Sequence, residues 1–118
     1  MASARIDLVH LAIRSGIMGH IQWKLAAAEL VRGDPLLAML PPERIRALLR
    51  QFVVDGNSLD VRAETRDEYL REDPDNPYWY RAVIPIAEFP QGIFVEVRLI
   101  DANPQEPWVE IVSAHRQS

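Results

Sequence analysis

The 118 residues contain no cysteine. That excludes disulfides, thiolate zinc sites and a cysteine nucleophile, and leaves the redox compartment open. Lysine is nearly absent too, since Lys24 is the single lysine among 13 basic residues. Positive charge is therefore carried by arginine, the better planar and bidentate partner for phosphate. No apolar run approaches the roughly 20 residues that span a bilayer. The first apolar stretch, residues 6–13, is interrupted by Asp7 and His10. A secretory h-region does not carry such residues, so the expected location is cytoplasmic, with no membrane partner. The histidines His10, His20 and His115 show no HxH or HExxH spacing, so neither a metal site nor another cofactor is expected. A surplus of positive charge is also missing. The net charge of −4 argues against a broad basic nucleic-acid surface, and no DNA partner is expected. A local arginine site remains compatible with it.

What is present is enough apolar sequence for a core. The hydrophobic fraction is 48%, which suits one globular domain spanning 1–118. The chain divides into a helical part, 1–56, and a sheet part, 57–118. Ile6, Val9, His10 and Ile13 fall on one stripe of a helix over 4–15. A second helix is predicted over 17–32 and is stopped by Gly33, after interruptions at Gly16 and Gly19. Asp34-Pro35 opens a short turn towards Leu40. Pro41-Pro42-Glu43 starts a third helix. There Ile45, Leu48, Leu49, Phe52 and Val53 recur at helical spacing, and Asp55-Gly56-Asn57 ends it.

The remainder alternates apolar with polar, the signature of half-buried strands. Strands are predicted over 59–65, 78–84 or 86, 93–100 and 108–115. Between the first two lies an acidic stretch with Asp67, Glu68, Glu72, Asp73 and Asp75, read as a solvated connector. The expected architecture is α+β. Amino-terminal helices pack on one face of a four-stranded antiparallel meander and leave the reverse face open.

That reverse face is where chemistry gathers. Alternation places Arg62, Glu64, Trp79, Arg81, Glu96 and Arg98 on it. Glu96 and Arg98 lie about 7 Å apart on one strand. RNA cleavage needs a base for the 2′-hydroxyl, cations for the phosphorane and an acid for the leaving oxygen. Glu96 suits the base, Arg81 and Arg98 the clamp, and His115 the acid. Trp79 beside Arg81 is placed to stack a base, and Arg62 to assist binding. The same residues also fit ordinary cross-strand Arg–Glu pairing on a wet face. His115 carries a conflict of parity. If Val109 and Ile111 point inward, strict alternation sends His115 inward too, unless a bulge intervenes.

The layout, with Phe94-Val95-Glu96-Val97-Arg98 and a closing Val109-Glu110-Ile111-Val112-Ser113-Ala114-His115, resembles the barnase/RelE-like bacterial ribonuclease toxin superfamily. The likeness spans roughly residues 58–117. It implies metal-independent RNA cleavage on the sheet face by Arg81, Glu96, Arg98 and His115. It also implies RNA as a partner, beside a cognate antitoxin-like protein or a second copy of the chain. Against the pattern, such toxins are commonly basic. The order of helices and curved strands also resembles the cystatin-like cone of the nuclear-transport-factor-2-like group. That likeness implies a non-catalytic binding module with a small-molecule pocket near His10, Trp23 and Tyr80. A protein-interaction domain is the other non-catalytic reading.

Overall fold

Hydrophobic spacing determines which segments can share a core, and the computed structural model shows how they do so. It describes residues 4–15 and 20–116. The elements are α1 (Ile6–Ser15), β1 (Ile21–Trp23), α2 (Leu25–Gly33), a short 3-10 turn (Pro35–Leu37) and α3 (Pro42–Val54), followed by β2 (Asp60–Ala63), α4 (Asp67–Glu72), β3 (Tyr78–Ile86), β4 (Phe89–Asp101) and β5 (Trp108–Arg116). The fold is α+β, with a five-stranded mixed sheet in the order β1-β5-β4-β3-β2. The four strands read from the sequence are antiparallel neighbours, and a fifth, β1, runs parallel to β5.

β1 corrects the predicted helix over 17–32. Helix begins only at Leu25, where Leu25-Ala26-Ala27-Ala28-Glu29 supplies strong helix formers. Ahead of it, Ile21 and Trp23 satisfy the open edge of β5. The amide of Val109 donates to His20 O at 2.9 Å, and Lys24 N–H donates to Ile111 O at 2.9 Å. An apolar stripe at helical spacing cannot reveal that a distant strand needs a partner. The interruptions predicted at Gly16 and Gly19, and residues 17–19, lie outside the described residues.

α1, α2 and α3 cover one face. α1 packs on α3 and β5, and α3 on β3. Val9, Ile13, Ile45 and Leu49 from the helices meet Tyr80, Val95, Val97, Val109 and Ile111 from the sheet, all fully enclosed. Burying each such side chain contributes about 1.5–3 kcal/mol before chain entropy is charged against it. Among the described residues no helix is long and apolar enough to cross a membrane.

The reverse face is not left wholly open. The acidic connector contains α4, and its Tyr69 is buried. This segment lies over the end of the sheet that carries Glu64 and Arg98, which are 6% and 2% exposed. Charge along the connector suggested a solvated loop. Tyr69 and the preceding Arg66 dock it, the ring against the Arg98 guanidinium and Arg66 against Glu64.

Candidate functional site

The outer face is built by register. Arg81 lies opposite Glu96, and Arg62 opposite Trp79. On the far side, Glu96 pairs with Ser113 and Phe94 with His115. The next pair along is Val97 with Ile111, so Val112 is an extra residue in β5. This bulge resolves the parity conflict. Val109 and Ile111 remain enclosed in the core, and the exposed His115 sits beside Phe94 on the outer side.

Two zones follow. The deep zone is an ion network under α4. Glu64 follows β2 with a fully enclosed carboxylate. It accepts the backbone amides of Thr65 at 3.1 Å and Arg66 at 3.2 Å. Arg66 donates to it through Nε at 2.8 Å and Nη2 at 2.9 Å, and Arg98 through Nη1 at 3.1 Å. Burial pushes the Glu64 carboxyl up, but the Arg66 guanidinium, the backbone amide and Arg98 outweigh it and hold it below the usual range. Arg66 rises above its ordinary value, chiefly through its bond to Glu64. Arg98 Nη2 donates to Asn76 O at 3.1 Å. The Tyr69 ring lies 4.5 Å from both guanidinium carbons and 4.9 Å from Lys24 Nζ, which also donates to its hydroxyl at 2.8 Å.

The surface zone is an aromatic row flanked by arginines. The rings of Phe94 and His115 stack at 4.5 Å and 15°. Trp79 lies 6.3 Å from Phe94 at 57°. The Arg66 guanidinium sits 5.9 Å from the Trp79 ring. Arg66 also reaches out with Nη2 to the carboxylate of Glu96. Arg81 donates to Asp60 at 2.9 Å.

Of the residues singled out from sequence, Arg81, Trp79 and His115 share this surface zone with the exposed Arg62, and Glu96, on the same face, is 6% exposed and held in its bond to Arg66. Arg98 does not. It turns under α4 and binds Glu64 and Asn76. Arg66, Tyr69 and Phe94 were not singled out. The signal for the first two was local: Glu64-x-Arg66 closes a strand, and Tyr69 follows Arg66 at i+3 where a helix starts.

The alternative pocket residues are committed to the fold. His10 Nε2 accepts the Leu59 amide at 3.2 Å. Trp23 Nε1 donates to Pro42 O at 3.1 Å. The Tyr80 hydroxyl accepts the Arg5 amide at 3.2 Å. A shallow groove of about 300 Å³ opens at the surface between α3 and β3, beside Phe52 and Ile84.

The chain matches no protein-family model, no curated protein and no solved structure.

Proposed function

We propose that the outer sheet face is the RNA-contacting surface of a ribonuclease-toxin-like domain that cleaves without a metal. The observation that carries this reading is the bulge at Val112, which sets His115 diagonally across from Glu96 on the same side. Diagonal neighbours on adjacent strands are separated by about 7–8 Å. A phosphodiester fits between a base and an acid so spaced.

In this reading the Glu96 carboxylate takes the 2′-hydroxyl proton. The freed oxygen attacks phosphorus. The 5′-oxygen leaves with a proton from the His115 imidazolium, giving a 2′,3′-cyclic phosphate and a 5′-hydroxyl. Arg66 and Arg81 supply positive charge beside the reacting phosphate. Arg98 acts from below as a positioning residue, since it binds the Glu64 carboxylate that holds Arg66. The direct test is incubation with a labelled single-stranded RNA. Wild type is expected to yield cyclic-phosphate ends, and Glu96→Gln or His115→Ala to lose at least 100-fold in rate, as about the least a general acid or base contributes. Intact RNA with wild type defeats the reading.

A second reading draws on β2. All four of its residues are exposed, and β3 pairs with one side only. An edge of that kind suits strand addition by a protein partner, antitoxin-like or otherwise. A stable complex without RNA cleavage would favour it.

A further inference from the structure

Beside His115 the outer face continues into a cleft of about 460 Å³ between the end of α2 and β5. Leu30 forms part of its helix side, and Ser113 and His115 part of its sheet side. Leu30 is 75% exposed, so an apolar wall stands open to water. Phe94 packs on the His115 ring but does not line the cleft. His115 thus both stacks on Phe94 and belongs to the lining of the cleft.

Charge sorts what can enter. Glu29 and Asp34 line the cleft, and their carboxylates repel phosphate. Arg62, Arg66 and Arg81 lie away from it, on β2, β3 and the connector between them. A nucleotide strand fits both sets at once only if its backbone runs along the arginines and a base turns into the cleft.

We infer that this cleft takes one unpaired nucleobase, stacked on His115 and faced by Leu30. The inference rests on the RNA-contacting part of the reading above and specifies its substrate as single-stranded. A paired base cannot leave its helix to reach the cleft without unstacking. The carboxylates accept hydrogen bonds from an exocyclic amino group, which adenine, cytosine and guanine carry and uracil lacks.

The test separates binding from cleavage. Fully 2′-O-methylated hexanucleotides have no 2′-hydroxyl to attack, so they report binding alone. Wild type is expected to bind the single-stranded adenine and cytosine hexamers more tightly than the uracil hexamer, and at least tenfold more tightly than a blunt 2′-O-methyl duplex. Gly33→Phe plugs the cleft. A Cβ at Gly33 meets nothing within 4 Å, so the fold should accept it, and circular dichroism checks this. Leu30→Glu charges the wall at an exposed site. Each is expected to weaken hexamer binding at least fivefold, the loss of one weakly stacked base. Absence of hexamer binding, equal binding of the duplex, or full affinity in both variants overturns the inference. Cleavage of unmodified RNA is scored separately. Variant-sensitive binding without cleavage sinks the nuclease and keeps the base site. Cleavage with KM and hexamer affinity unchanged by both variants does the reverse.

Discussion

Arg66 binds Glu64 with Nε and Nη2 and carries the same Nη2 across to Glu96. One guanidinium thus joins two buried carboxylates, since Glu64 and Glu96 are each 6% exposed. The two carboxylates answer differently to mutation. Removing Glu64 takes from Arg98, 2% exposed, the carboxylate it is bonded to and leaves only the more distant pull of Glu110, its cross-strand neighbour. Glu64→Ala should lower unfolding free energy by about 3–5 kcal/mol. Glu96 is as buried as Glu64, but Glu96→Gln retains the shape and an acceptor oxygen, and Arg66 keeps its bonds to Glu64, so the loss should be smaller, about 1–2 kcal/mol. Urea unfolding of the two variants checks the contrast, and equal losses would show that the network is not what holds α4 down.

Much of the architecture was legible because it depends on local pattern. Ile45, Leu49 and Val53 mark α3, and their burial follows from spacing alone. The alternation of Ile93, Val95, Val97 and Leu99 likewise announces which side of β4 is the core. What was not legible depends on partners far away in sequence. β1 exists because β5 has an edge to fill 88 residues on, near which the His20 ring also meets Pro107 O at 2.7 Å. The site divides the same way. Alternation puts Arg81, Glu96 and Arg98 on one face, but only the docking of the segment with Arg66 and Tyr69 determines that Arg98 and Glu96 are both covered while Arg81 is not. The bulge at Val112 leaves no mark in composition.

His10 gives the fold a pH dependence. Its Nε2 accepts the Leu59 amide, which requires the neutral ring. Burial lowers its pKa, and Arg14 adds to the effect. With the folded value depressed, the unfolded chain binds more protons below its own pKa of about 6.5. Stability is therefore complete above that pH and declines as pH falls through it to the depressed folded value. His10→Gln should flatten this part of the urea-midpoint profile. A variant that keeps the wild-type slope would assign the dependence elsewhere.

Glu110 works in the opposite direction. Burial raises its carboxyl pKa and Glu72 adds to that, against Lys24 and Arg98. A raised folded value means stability present below the unfolded pKa and lost as pH rises through the folded one. Glu110→Gln should therefore unfold at higher urea than wild type at pH 7 and lose this advantage below pH 4. No advantage at pH 7 would show that Lys24 and Arg98 fully compensate for burial.

Gly92 is required by its backbone. Its φ is +99°, and an added Cβ would lie 2.7 Å from Val83 Cγ1 and 3.3 Å from Ile84 O. The carbonyl cannot turn away without disturbing the β3–β4 pairing of Ile84 with Ile93. Gly92→Ala should cost about 1–3 kcal/mol. At Gly33, where a Cβ meets nothing, alanine should be neutral or mildly stabilising, and paired thermal melts will show the difference.

Two single-residue deletions in β5 isolate the bulge. Removing Val112 deletes the unpaired residue, so Ser113 stays opposite Glu96 and His115 opposite Phe94. Removing Ala114 instead moves His115 into the position across from Val95, on the core side. The first deletion should retain the Phe94–His115 stack and, on the ribonuclease reading proposed above, the RNA cleavage. The second should lose both, since an imidazole directed into the core cannot protonate a leaving oxygen on the outer face. Ring-current shifts of the His115 protons report the stack independently of activity, and circular dichroism reports whether the sheet persists. The deletions differ by two positions on one strand, so a general loss of β5 would silence both. Cleavage surviving without Ala114, in a folded protein with the stack gone, would remove His115 from the reaction.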